Sequence, residues 1–387
     1  MTTSRATWQA ALGLALAAAV SLGMARFSYA LLLPAMRAEL GWSYFTAGAM
    51  NTANAAGYLA GALLMPRLMS RFDARAVLLA GGAGTALLMA LHGAQLGDAS
   101  LYALRTATGI ASAGSFVTGG LLAARLAAGQ AALGPGLVLG LYYGGTGLGI
   151  IVSTLVVPPL DWRSAWVALG GLCALATALT AWSTRELVAP PTPGAPRQKV
   201  SAVPFAFGLA GYLMFGLGYI GYMTFVITLL REQGLGDDAR MAFYALLGLG
   251  VIASSWLWAG LLQRWRGGQT LALLNGLLAL ATVLPVLSSH PVAVFASGAL
   301  FGSVFLSVVA STTALVRHNL PPPAWPGGIA LFTIVFAGGQ IVGPALVGWV
   351  SDGAGGLLRG FAVSAALLAA GSLLALGQRP LSPRPPG

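Results

Sequence analysis

The chain has 387 residues, 57% of them hydrophobic and 7% charged, whereas soluble domains carry about 25% charged residues; a water-exposed surface is excluded, and lipid has to be the solvent for most of the molecule. The 20 Lys and Arg against 9 Asp and Glu give a net charge of +11, but the basic residues form short clusters between apolar stretches, which is a pattern of membrane topology and not of a nucleic-acid surface. Cys173, the one cysteine, lies inside an apolar run and leaves no disulfide framework and no Cys-based metal site; no cofactor is expected.

Taken in chain order, apolar runs of spanning length predict helices at 8–36, 44–65, 76–96, 101–124, 133–157 and 164–183, then at 205–230, 242–262, 270–289, 291–316, 327–350 and 357–378. The first run continues past Arg26 to Met36, too long for a secretory signal, and reads as an uncleaved first helix. The expected fold class is an all-α membrane protein of twelve transmembrane helices in two pseudo-symmetric six-helix bundles. An even count puts both termini on one side. Thirteen basic residues fall on that side and five on the other, so the termini are expected to be cytoplasmic and the location a bacterial inner membrane.

Between the sixth and seventh runs lies TRELVAPPTPGAPRQKVSAVP, a Pro-rich polar stretch that cannot span and reads as a linker. The expected organisation is therefore a first bundle at 1–184, a linker at 185–203, a second bundle at 204–380 and a tail at 381–387. The halves echo each other. Gly23, Arg26 and Tyr29 have the spacing of Gly216, Tyr219 and Tyr222, and Gly145, Thr146 and Gly149 that of Gly339, Gln340 and Gly343. Such internal repetition is typical of transporters that rock one half against the other.

These features resemble the major facilitator superfamily over essentially the whole chain. The loop motif after the second helix stands here as GALLMPRLMSRFDARAVLL, without the acidic residue usually found earlier in it, and a faint copy, GLLQRWRGG, follows the eighth helix. The resemblance implies a gating role for Arg71, Arg75 and Arg264. RTATGIASAG in the fourth helix is similar to the superfamily's arginine motif, whereas GGTGLGIIVSTLVVPP in the fifth lacks the Gly-Pro pair of the antiporter motif. GMARFSYALLLPAM, GYLMFGLGYIGYMTF and FAGGQIVGPALVGWVSD resemble the bacterial YbfB/YjiJ branch. That likeness implies alternating access, a cavity lined by helices 1, 4, 7 and 10, and no enzymatic activity.

The residues that carry chemistry are few. A charge at bilayer depth costs at least about 2.5–3.5 kcal/mol, so Arg26 and Arg105 need a compensating environment, and none of the twelve runs contains Asp or Glu. An anionic substrate such as a carboxylate, matched bidentately by guanidinium, is the expected partner. Tyr219 and Tyr222 are further candidates because their hydroxyls need partners in an apolar setting and they align with Arg26 and Tyr29 in the repeat. Asn51 and Asn54 share one helix face with Tyr58 and read first as interhelical glue. Gln340 sits beside a Gly-Pro kink, and Tyr143 is a possible cavity residue. His92 is an outside candidate for proton sensing. Trp8, Trp42, Trp162 and Trp349 lie near helix ends and read as bilayer anchors.

The function these readings support is a secondary transporter of a small organic anion, acting as a monomer in a lipid bilayer. The alternative is an exporter of hydrophobic or cationic compounds, in which the arginines are structural. An intramembrane enzyme would need a nucleophile with a base or a metal cluster in the spans, and a receptor would need a soluble sensory domain; the sequence offers neither.

Overall fold

The computed structural model describes residues 4–129, 135–187 and 200–381, which are helical with no strand among them. Helix 1 runs over residues 4–40 in three pieces: α-helical Ser4–Ala18, π-helical Ala19–Phe27 and α-helical Tyr29–Leu40. Helix 2 is Tyr44–Arg71, helix 3 Ala74–Leu91, helix 4 Asp98–Gly129, helix 5 Pro135–Val156 and helix 6 Trp162–Ser183. Helix 7 is Ala206–Glu232, helix 8 is Asp237–Leu257 continued by Ala259–Arg264, helix 9 Gln269–Leu287, helix 10 Pro291–Asn319, helix 11 Trp325–Ser351 and helix 12 Gly356–Leu376.

Among the described residues eleven helices are long and apolar enough to cross a membrane. Helix 2 falls short in hydropathy only. Its 28 residues exceed the length needed at 1.5 Å per residue, but Asn51, Asn54 and Arg67 dilute it.

Helices dominate because a backbone in lipid has to satisfy its own hydrogen bonds, and their ends are marked by local chemistry. Ser43 Oγ accepts from the Thr46 amide at 3.1 Å, Asp73 caps helix 3 and Asp161 caps helix 6, each satisfying an orphan N–H. Gly41, at φ 67°, ends helix 1 in the left-handed region, where only glycine is unstrained.

Small residues let the rods touch. Helix 1 meets helix 5 at Gly23 and Gly149, and helix 7 meets helix 11 at Gly216 and Gly339. The repeat seen in the sequence is thus a repeat of helix pairs, offset by one turn in register. The first half meets the second along helix 2 against helix 11: a Cβ on Gly348 would sit 2.2 Å from the Tyr44 carbonyl oxygen, and one on Gly48 2.1 Å from that of Pro344. A second seam joins helices 5 and 8 at Gly147 and Gly248.

Some expectations shift. Helix 3 stops at Leu91 rather than 96, because the His92 and Gly93 amides close tight turns onto Met89 and Ala90. Helix 8 breaks at Trp258. Trp42 and Trp162 are not bilayer anchors: both are buried, and their indoles donate to Asp98 at 2.9 Å and to Glu39 at 2.6 Å. The polar end of each ring found a carboxylate on a neighbouring loop end, so burial won over the interface. Trp8 and Trp349 are exposed. Most of the expected linker (188–199), the start of the fifth run (133–134) and the tail from 382 lie outside the described residues.

Candidate substrate site

The site begins with an irregularity in helix 1. Over Ala19–Phe27 the helix is π, and all nine residues are buried; at Ser28 it returns to α. Two backbone carbonyls of this π-helical stretch accept from side chains on other helices. Ala25 O accepts from Arg105 Nη1 at 3.2 Å. Phe27 O accepts from the Tyr244 hydroxyl of helix 8 at 2.7 Å.

Arg105, 1% exposed, is held by polypeptide. Besides Ala25 O, its Nη2 donates to Asn51 Oδ1 at 3.3 Å, and its guanidinium carbon lies 4.7 Å from the Tyr29 ring centroid and 5.7 Å from that of Trp166. Asn51 in turn donates to Thr224 Oγ1 of helix 7 at 2.7 Å. Asn54 donates to the Arg105 carbonyl at 3.1 Å, and the Tyr29 hydroxyl to Ala47 O at 2.9 Å. Cation–π contact and carbonyl oxygens share the work an acid would otherwise do.

Arg26 differs. It is 4% exposed and donates from Nη2 to Gln340 Oε1 of helix 11 at 3.1 Å, while Gln340 Nε2 donates to the Tyr219 hydroxyl of helix 7. The repeat-related positions 26 and 219 therefore meet through Gln340. The Tyr58 ring centroid is 5.8 Å from the guanidinium, and Nε, like that of Arg105, is buried without a protein partner. The three ion pairs among the described residues, Arg37 with Glu232, Arg163 with Glu39 and Arg240 with Asp237, involve neither deep arginine.

Aromatic rings surround this point. Tyr58 lies 6.4 Å from Phe116, and Phe116 6.2 Å from Tyr143. On the other half, Tyr212, Phe215 and Tyr219 form a stack whose members lie 4.8, 5.3 and 5.7 Å from Phe336. Tyr222 leaves this face: its hydroxyl bonds Ser297 Oγ at 2.7 Å and its ring stacks on Phe301 at 3.9 Å, which ties it to helix 10.

Above Arg26, toward the end opposite the termini, the two halves are sealed. Asp352 at the end of helix 11 accepts from the Tyr44 and Phe45 amides at the start of helix 2, at 2.7 and 2.9 Å. Glu232 accepts from the Tyr44 hydroxyl and pairs with Arg37 at 3.8 Å. Thr52 donates to Ile341 O at 2.6 Å. Among the described residues, the hydrogen bonds linking the two halves all lie at the level of Arg26 or on this sealed side.

Of the gating positions, Arg71 and Arg264 are exposed at helix ends. Arg75 binds Ala181 O at 2.6 Å and Thr184 Oγ1 at 3.2 Å, joining helices 3 and 6. His92 is buried and stacks on Trp166 at 4.6 Å, with Nδ1 2.7 Å from Leu88 O. Sequence reasoning missed Trp166, Thr224, Tyr244 and Phe336; each is one apolar or small residue among many, with no local signal to separate it.

Comparison with known proteins agrees with the architecture. Residues 18–376 match the family described as the uncharacterised MFS-type transporter YbfB. A chloramphenicol resistance protein of Streptomyces lividans is 28% identical over 377 residues, 91% of this chain and 93% of that protein. The structure of the nucleoside transporter NupG superposes with a TM-score of 0.72 at 13% identity, covering 97% of this chain and 98% of that one. A bacterial homologue of the human lysosomal transporter Spinster gives 0.70 at 13% identity, covering 97% and 95%. A multi-pass helical chain whose halves meet around a buried charge, matched by one family over residues 18–376, belongs to the YbfB-type branch of the major facilitator superfamily and is a membrane transporter, not an enzyme.

Proposed function

We propose that the protein is a secondary transporter of a small organic anion, with Arg26 as the residue that receives the negative charge. The observation that carries this reading is the state of its guanidinium: buried, at the meeting of both halves, and bonded to a single neutral amide oxygen, where Arg105 has two oxygen acceptors and two close rings. A charge at that depth has a free-energy cost, and a carboxylate that binds it in a bidentate fork offsets the cost. Gln340 and Tyr219 are assigned to orient the fork. Asn51, Asn54, Tyr29 and Arg105 are assigned to hold helices 1, 2 and 4 around it, since their hydrogen bonds run to the protein.

Twelve crossings in two bundles of six, with the termini cytoplasmic in a bacterial inner membrane and the monomer as working unit, complete the proposal. In that orientation the sealed end faces outward. Alternating access then consists of breaking the Asp352 and Glu232 contacts while the opposite end closes, and anion binding at Arg26 compensates the charge that otherwise opposes the rearrangement. The test is uptake and counterflow in proteoliposomes of labelled organic acids against lipophilic cations. Arg26→Gln is expected to abolish acid transport; an Arg26→Gln protein that carries acids as well as the wild type overturns the assignment.

A second reading, export of an uncharged hydrophobic compound, is supported by the similarity to the chloramphenicol resistance protein and by the ring-lined walls. It predicts transport of neutral aromatic compounds with no dependence on Arg26 beyond folding, which the same vesicles measure.

A further inference from the structure

The rings around Arg26 describe the body of the cargo. From the first half, Tyr58 stands 5.8 Å from the guanidinium, followed by Phe116 at 6.4 Å from Tyr58 and by Tyr143 at 6.2 Å from Phe116. From the second half, Tyr219 reaches Arg26 through Gln340 and lies 5.7 Å from Phe336. Two aromatic walls, one on each half, thus converge on the same charge.

The two walls are not fully packed. Tyr58, Phe116 and Phe336 are half-buried, and Tyr143 is 40% exposed. Tyr143 has Tyr142 at 5.2 Å and Phe116 of helix 4 at 6.2 Å. Its place at the end of the ring chain that runs from Arg26 through Tyr58 and Phe116 points its exposed side toward the space between the halves and not toward the lipid. The seal lies on the far side of Arg26, so this space lies toward the end that carries the termini. Interior rings in membrane proteins are normally covered by neighbours at van der Waals distance; here uncovered faces flank a cation with spare donors.

Resting on the anionic reading above, we infer that the cargo is a planar aromatic carboxylate. Its carboxylate lies on Arg26 with the Gln340 amide beside it, and its ring lies between the Tyr58–Phe116–Tyr143 wall and Phe336, behind which Tyr219 is packed. Aromatic rings attract one another in offset or edge-on contact at centroid separations of roughly 4.5–7 Å. A saturated ring of the same size fills the same space but lacks the quadrupole that the walls match. Preference for the flat ring is therefore a property of the walls, and affinity for the acid a property of Arg26.

The experiment is a thermal-shift titration of the purified full-length protein with benzoate, cyclohexanecarboxylate and benzamide, probes that separate ring character from charge. Benzoate is expected to bind roughly tenfold more tightly than cyclohexanecarboxylate, the effect of losing two ring contacts of usual strength, and benzamide more weakly than either. Tyr143→Leu and Phe336→Leu are expected to bring the benzoate to cyclohexanecarboxylate ratio toward one, with Phe336→Tyr, which keeps a ring, retaining it. Equal affinity for the two acids, both lost in Arg26→Gln, overturns the aromatic inference and leaves the anion site standing. Benzamide binding as tightly as benzoate and unaffected by Arg26→Gln overturns the anion site itself. No stabilisation by either acid at millimolar concentration counts against both.

Discussion

The two deep arginines are chemically identical and their neutralisation is expected to have opposite effects on stability. Arg105 donates to Ala25 O and Asn51 Oδ1 and lies against Tyr29 and Trp166. Two charge-assisted hydrogen bonds contribute roughly 1.5 kcal/mol each at the low end of their range, and each ring contact about 0.5 kcal/mol or more. In Arg105→Gln a shorter amide recovers about one ordinary hydrogen bond of roughly 1 kcal/mol, leaving a net loss of about 3 kcal/mol, comparable with breaking a buried polar pair. At about 2 °C per kcal/mol, the lower end for a long chain, Tm in detergent falls by roughly 6 °C. The Nε of both arginines is buried without a partner, but Arg26 has only one hydrogen bond, to a neutral oxygen, and one ring, at 5.8 Å. Arg26→Gln removes an uncompensated charge and can keep a bond to Gln340, so Tm is unchanged or rises while transport is lost, the trade expected at a binding site held against stability. The assay is a differential scanning measurement of both variants in one detergent, beside acid uptake in vesicles. A fall in Tm for Arg26→Gln as large as for Arg105→Gln would refute the division of roles.

The far seal yields two more expectations. Asp352→Asn keeps one acceptor for the Tyr44 and Phe45 amides but loses the charge at a helix N-terminus, a contact of about 1 kcal/mol; the seal opens more often, measured as faster maleimide labelling of an Ala47→Cys reporter, at a buried position one turn before Asn51, which bonds Thr224 across the seam. Unchanged labelling refutes a latch at Asp352. Gly348→Leu places side-chain atoms where a Cβ alone would be 2.2 Å from Tyr44 O, so helices 2 and 11 cannot close there; the same reporter becomes permanently accessible and transport stops, whereas normal turnover would show that the seam is not an obligatory state. Cys173 is buried against Met89, with its sulfur 3.5 Å from the methionine sulfur, so in the wild type it resists maleimide until the protein unfolds; prompt labelling in native detergent solution contradicts the packing.

The membrane-spanning character and the placement of most helices were legible in the sequence because lipid permits few alternatives: a long apolar run must satisfy its own backbone, and only helix does so within one segment. The same economy made Arg26 visible, since a charge is conspicuous where none is tolerated cheaply. What the sequence could not contain was the choice of partners. Arg105 is separated by 80 residues from the Ala25 carbonyl it binds and Arg26 by 314 from Gln340, and the Ala25 and Phe27 carbonyls that accept from other helices lie in a π-helical stretch, Ala19–Phe27, which no run of residues announces. Trp42 and Trp162 look like any other interfacial tryptophan until Asp98 and Glu39 arrive beside them. Apolar periodicity is a local property and survives in one dimension; which buried donor meets which acceptor depends on how the helices cross, and only the assembled bundle decides that.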